Sequence, residues 1–393
     1  MSSNSASGNF SSIPILDYSL AASSSTRPQL ISELRNAAIN VGFLYLSKTN
    51  VDPILVKELV SYLPQLFALP QEAKEKIRMR NSPHFLGYSQ FGAEYTKGNV
   101  DMREQFDIAT PHECQWKPGD PDYKRLWGPS QWPDEDLIPG FKVTLEKYLE
   151  QVQELADNFV KVLAEALGLG PDGLSRFYDA PELMQHRSKM VQYPVVNERS
   201  PSNQGVGPHY DAGFLTILLQ ASDHPGLQVQ NLAGEWIDAS PVPGTFVVNF
   251  GRALEFATQG IARATSHRVL SPPLGSTSPR YSIPFFHNIG LDVKVTDPAY
   301  LLKFPEEILK LRDARGKLPA TDCLSLIPRA PWLMYCSDCF LSAVNFPEFS
   351  TQTSGHVNLV GRVKSHPDVG ERHYPALFKQ IFPNGLPAHG TAY

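Results

Sequence analysis

Little in this sequence points to an oxidised, membrane-bound or nucleic-acid-binding protein. Four cysteines in 393 residues are too few for a disulfide framework. Cys336 and Cys339 make one CxxC. No second Cys or His pair stands at zinc-finger spacing, so a plain thiol pair is expected there rather than a metal or redox site. No run of eighteen apolar residues exists, which excludes an ordinary transmembrane helix. The opening MSSNSASGNFSS has neither the basic nor the apolar region of a signal peptide, and a cytoplasmic location is expected. Net charge is −5 without a basic block, so neither nucleic acid nor an anionic membrane is an expected partner. Internal repeats are absent too. A monomer is expected.

What is present is an ordinary globular composition, 42% hydrophobic and 19% charged, with 34 prolines marking turns and long loops. After a polar tail (1–12), IPILD reads as a short strand and residues 28–40 as a helix that stops at Gly42. GFLYLSK returns to strand, and a single helical stretch is expected near 52–79. Residues 111–134, rich in proline and tryptophan, read as irregular. The strongest helix lies at 141–167, with apolar residues recurring at three and four from Phe141 to Ala166. From Met190 to Ile289 the pattern becomes short alternating segments: KMVQYP, GFLTILLQ, GLQVQ, EWIDA, TFVVNF, ATSHRVL and RYSIPFF. Strands of this density suggest a β-sandwich or jelly roll, and helices before strands make the chain α+β. The last hundred residues are expected to be mixed, with a helical patch at 305–315 and irregular chain after it.

Chemistry concentrates in GPHYDAGFLTILLQ, residues 207–220. Read as the start of one strand, it puts His209 and Asp211 on the same face. A third ligand could be His267, in ATSHRVL. Two histidines and one carboxylate on one face suit a non-haem Fe(II) centre with positions left open. Alone, an HxD pair more often makes local hydrogen bonds. The next strand adds Arg280 and Ser282, again two apart; an arginine fork and a hydroxyl on one face receive a carboxylate. His84, His112, His186, His366 and His373 lie in loop-like contexts and are expected at the surface.

HYD at 209–211, NFGRALEFATQGIARATSHRV at 249–269 and RYSIPFF at 280–286 occur in order and resemble the 2-oxoglutarate/Fe(II)-dependent dioxygenases. The likeness is to the isopenicillin N synthase-like branch, which also holds plant flavonoid and gibberellin oxidases. IPILD, GFLYL and WGPSQWP (127–133) resemble that branch's N-terminal region. The resemblance implies a double-stranded β-helix (jelly-roll) core with helical N-terminal and C-terminal elements. The implied segments are an N-terminal dioxygenase region (13–135), a long supporting helix and linker (136–184), the jelly-roll core (185–295) and a C-terminal extension (296–393). It implies Fe(II) on His209, Asp211 and His267, and 2-oxoglutarate held by Arg280, Ser282 and Tyr193. Phe286 would line the substrate pocket, although a strand Phe or Tyr is more often core. The implied reaction uses O2 to hydroxylate, desaturate or otherwise oxidise a small metabolite, a secondary one by family habit, releasing succinate and CO2. No acid–base residue beyond the metal ligands is required. Two readings stay open beside it: an oxidase of the isopenicillin N synthase or aminocyclopropane-carboxylate type that uses no 2-oxoglutarate, and a non-catalytic jelly-roll binding module. Arg252 and Val191 depart from common residues of the branch, an aspartate and an asparagine. Arg252 is left as a surface ion pair or a contact to an acidic substrate.

Overall fold

The structure, a computed structural model, describes residues 9–96, 99–195, 204–315 and 347–386. Fourteen strands and nine α-helices follow one another through these residues. The N-terminal part contains β1 (Ile15–Asp17), α1 (Arg27–Asn40), β2 (Phe43–Ser47), α2 (Pro53–Phe67) and α3 (Gln71–Lys76). Then come β3 (Gly87–Ser89), β4 (Tyr95–Thr96), β5 (Asn99–Val100) and β6 (Glu104–Ala109), before the long α4 (Phe141–Ala166). The strand-rich part holds β7 (Arg187–Tyr193), β8 (Gln204–His209), β9 (Leu215–Gln220), β10 (Leu227–Gln230) and β11 (Trp236–Asp238). It continues with β12 (Thr245–Phe250), α5 (Arg252–Ala257), β13 (His267–Leu270) and β14 (Arg280–His287). Helices α6 (Glu306–Ala314), α7 (Ser354–Ser365), α8 (Pro367–His373) and α9 (Pro375–Ile381) complete the described chain.

Two sheets form the jelly-roll core: β1-β2-β12-β9-β14-β7-β6-β3 and β11-β10-β13-β8. Period-2 alternation sorts each strand of the larger sheet into two cores. On β2, Phe43 and Tyr45 face the smaller sheet, while Leu44 and Leu46 face the helices. On β14, Arg280, Ser282, Pro284 and Phe286 face the interior, and Ile283 and Phe285 pack in the helical layer. Both faces are buried, so these strands read as nearly continuous apolar runs. α4 lays Leu145, Leu149, Val152, Ala156, Phe159 and Leu163 on the outer face of the large sheet, one stripe of its 26 residues.

Four expectations need correction. GPHYDAGFLTILLQ is two strands rather than one, because β8 ends at His209 and β9 begins at Leu215. The stretch near 52–79 is two helices; Pro70 lacks an N–H and holds the residue before it extended. The C-terminal chain carries three helices between 354 and 381, two of them opening on the prolines Pro367 and Pro375. Those helices pack Leu359, Val363 and Tyr374 against Phe85 and Trp127. Finally, His84, His186 and His366 are buried, and His112 and His373 half-buried, rather than on the surface. The CxxC at Cys336 and Cys339 lies outside the described residues.

Candidate active site

A cavity of about 240 Å³ opens between the two sheets, and every sequence-nominated site residue lines it: His209, Asp211, His267, Tyr193, Arg280, Ser282 and Phe286. The smaller sheet supplies the histidines. β8 and β13 pair with His209 directly opposite His267, which brings their ring centroids to 4.2 Å. Asp211 is not on a strand; the turn after β8 carries it. That turn is pinned by the start of α5, where Arg252 N–H donates to Asp211 O at 2.8 Å and Ala253 N–H to Ala212 O at 3.0 Å. Gly251 permits the approach, since a Cβ there would run into Gly213 O and stand 2.9 Å from Asp211 O. The NFGRAL motif therefore contributes by holding the Asp211 turn.

Each histidine donates from Nδ1 to a backbone carbonyl, His209 to Gly207 O at 2.8 Å and His267 to Thr265 O at 3.1 Å. A carbonyl can only accept, so the Nε2 lone pairs are left free and face Asp211. Both Nε2 atoms lie 3.8 Å from Asp211 Oδ1. This is too long for a hydrogen bond. The three ligand atoms lie within 4.8 Å of one another, a spacing one cation could close. Asp211 Oδ2 is occupied elsewhere, accepting from Thr216 Oγ1 at 2.6 Å and Asn249 Nδ2 at 2.7 Å.

Electrostatics agree with this arrangement. Burial, reinforced by the neighbouring His267, pushes His209 down to about 3, so its ring is neutral and able to ligate. Burial raises the Asp211 carboxyl, but His267, His209 and the bonds from Asn249 and Thr216 outweigh it and hold the group below its ordinary value. Two imidazoles and one carboxylate are a donor set that fits Fe(II).

At the other end of the cavity, register sets Arg280 opposite Tyr193 and Ser282 opposite Val191. The Arg280 guanidinium is 1% exposed and sits over the Tyr193 ring at 4.9 Å. It donates to Gln220 Oε1 at 3.3 Å, while Nε and Nη1 have no hydrogen-bond partner among the described residues. A buried cation with open donors is costly unless something arrives to meet it. A carboxylate ligand fits these atoms.

One more histidine of the strand-rich part, a possible rival to His267 by its place in the chain, lies elsewhere. His287, on β14, points away from the cavity, where Nε2 donates to Asp157 Oδ1 at 2.8 Å and the ring stacks on His186 at 4.3 Å. Asp157, His186 and His287 form a second cluster of ligand-type atoms. His186 Nδ1, however, accepts from Asn288 N–H at 3.0 Å, so its other nitrogen carries the proton. The cluster reads as a pin between α4 and β14. His287→Ala is expected to keep most activity while costing about 1–3 kcal/mol of stability. Activity lost as deeply as in His209→Ala would move His287 into the site.

Arg252 is corrected outright. It is fully buried, ion-paired with Glu255 and laid over the Tyr210 ring at 5.0 Å, so the ion pair is internal rather than at the surface, and Arg252 is not among the residues that line the cavity. Other residues lining the cavity went unnominated: Glu94, Arg103, Lys189, Asn249 and, from α7, Arg362. Asn249 and Lys189 sit inside recognised segments, but nothing local in the sequence marks Arg362.

The chain is similar to known proteins along most of its length. Residues 13–135 match a family model described as the N-terminal region of non-haem dioxygenases in morphine synthesis. Residues 182–289 match the 2OG-Fe(II) oxygenase superfamily. The 2-oxoglutarate-dependent dioxygenase frbJ of Dothideomycetidae sp. (strain 11243) is 40% identical over 95% of both chains. Homoarginine-6-hydroxylase 2-ODD-C23 of Glycine max is 33% identical over 73% of this chain and 88% of its own. Among solved structures, a full-length Neurospora crassa protein in complex with alpha-KG superposes with a TM-score of 0.63 at 26% identity, covering 77% of this chain and 91% of its own. With the jelly roll and the paired His–Asp and Arg–Ser ends of its cavity, the chain belongs to the 2OG-Fe(II) oxygenase superfamily and is a 2-oxoglutarate-dependent dioxygenase.

Proposed function

We propose that His209, Asp211 and His267 hold the Fe(II), and that Arg280 and Ser282, with Tyr193 beneath, anchor the far carboxylate of 2-oxoglutarate. The observation that carries this reading is one cavity with a two-histidine and carboxylate set at one place and a buried, under-partnered arginine at another. The chemistry supplied by bound iron is oxidative decarboxylation of 2-oxoglutarate to succinate and CO2, coupled to oxidation of a substrate C–H bond. The protein's own part is orientation. Gly207 O and Thr265 O fix the imidazole tautomers, and Thr216 and Asn249 hold one carboxylate oxygen back so that the other faces the metal. Arg280 sets the direction of the co-substrate, and the apolar wall of Phe43, Val191, Leu218 and Val269 limits water near the oxidant.

The segment 185–295 is proposed as the catalytic core, 13–135 and 136–184 as its support, and 296–393 as an extension reaching the cavity. The substrate is proposed to be a small organic metabolite of secondary metabolism, lying against Phe286. Relatives support the class without one identity, since one is named for homoarginine and the Neurospora crassa neighbour is also seen with thymine. No helix among the described residues is long and apolar enough to cross a membrane. We propose a cytosolic monomer acting on a small molecule rather than on nucleic acid, which the net charge of −5 favours. The test is stoichiometric: succinate should appear in step with oxidised product across a screen of candidate metabolites. Product formed from O2 and Fe(II) without 2-oxoglutarate would establish the oxidase reading, with Arg280 on the substrate.

A further inference from the structure

The floor of the cavity carries a second cationic end. Tyr193, Val191 and Lys189 all face inward from β7. Arg280 stands opposite Tyr193, and Lys189 lies four residues further along the strand, roughly 13 Å away at the usual strand rise. The two cations keep different company: Arg280 lies over the Tyr193 ring, whereas Lys189 turns to Asp107 and Glu94.

Lys189 is 7% exposed, and its ammonium makes only loose ion pairs, to Asp107 Oδ1 at 3.3 Å and Glu94 Oε1 at 3.8 Å. Arg362, reaching in from α7, uses the same Asp107 Oδ1 at 3.2 Å. One carboxylate oxygen therefore serves two cations. The other acids nearby are engaged with Arg103: Glu94 at 2.6 Å and Asp101 at 3.3 Å. His366 lies 3.5 Å from Glu94 Oε1. Asp101 and Asp107 sit behind the cavity wall, whereas Lys189, Arg362 and Arg103 line it with Glu94 as the one acid beside them. Charge balances within the network, but the lining itself is cation-rich.

We propose that Lys189 and Arg362 form a receptor for a carboxylate on the substrate, so that this dioxygenase takes an organic acid as its substrate. Asp107 orients the two cations, and the incoming carboxylate completes their hydrogen bonds. An anion at Lys189 and 2-oxoglutarate at Arg280 would lie at opposite ends of the floor, with His209 and His267 facing it from the smaller sheet. The C-terminal extension acquires a role: α7 sets the acid requirement by delivering Arg362. This inference rests on the reading that Arg280 takes 2-oxoglutarate.

The test is calorimetry under argon on the full chain loaded with Fe(II) and saturating 2-oxoglutarate. The probes are acetate, 3-methylbutanoate and phenylacetate, each compared with its primary amide. Acids should bind at least about tenfold more tightly than amides. Arg362→Gln should weaken the acids roughly 10- to 100-fold and leave amides and 2-oxoglutarate unchanged, with Arg362→Lys in between. Lys189→Met should act likewise, and the wild-type acid–amide comparison decides the matter even if that variant folds poorly. Acids bound no better than amides, or no acid bound at all, would overturn the proposal and leave the charges as glue between α7 and the sheet. Failure of 2-oxoglutarate itself to bind in the loading step would instead sink the underlying site reading.

Discussion

Asp211→Ala should lose iron and turnover together. Wild-type protein is expected to bind about one Fe(II) per chain, since only one set of ligands among the described residues faces the cavity. Removing the carboxylate leaves two imidazoles, which neither balance the ion's charge nor fix its geometry. Turnover should fall by at least about 1,000-fold, near 4 kcal/mol of lost transition-state stabilisation. His209→Ala and His267→Ala should do the same. The fold should survive all three, because these side chains sit on a cavity wall and not among the packed apolar clusters. Thr216→Val gives a graded control. It removes the 2.6 Å bond to Asp211 Oδ2 without touching a ligand, and should weaken iron binding about 10- to 100-fold. Full iron content in His267→Ala, read by metal analysis after gel filtration, would strike that residue from the ligand set.

The second large effect belongs to Arg280. Arg280→Leu should raise the 2-oxoglutarate requirement by roughly two orders of magnitude, because about 2–4 kcal/mol is lost when a buried carboxylate has no partner. Arg280→Lys should be intermediate, keeping the charge and losing the two-pronged fork. Iron content should stay at the wild-type level in both, since no iron ligand is altered. That separation is the useful readout: co-substrate affinity moves while metal binding does not. An unchanged 2-oxoglutarate dependence in Arg280→Leu would mean that the co-substrate carboxylate binds elsewhere.

Much of this is legible in the chain. Period-three-and-four spacing marks α4 from Phe141 to Ala166, and alternation marks seven of the eight strands between 187 and 287. The seven nominated residues all face one cavity, because Arg280 with Ser282 obeys strand periodicity and the motif order carries the rest. Strand periodicity is nevertheless the wrong reason for His209 and Asp211. They converge because the chain turns after β8 and α5 clamps the turn, not because one strand presents both.

β6 escapes the sequence reading because EQFDIA mixes charge into an apolar segment. Its Asp107 is buried only because Lys189 and Arg362 come to meet it from elements 82 and 255 residues away. Burial of His84, His186 and His366 is illegible for the same reason: a polar side chain looks solvated until a distant partner is brought to it. Local patterns thus determined the elements, their alternation and the residues able to bind a metal or a carboxylate. Tertiary structure alone decided which faces enclosed the cavity, which histidine turned away on β14, and that a C-terminal helix would supply a cation to the far end of the site. Such choices depend on pairings between segments far apart in the chain, and no local periodicity records them.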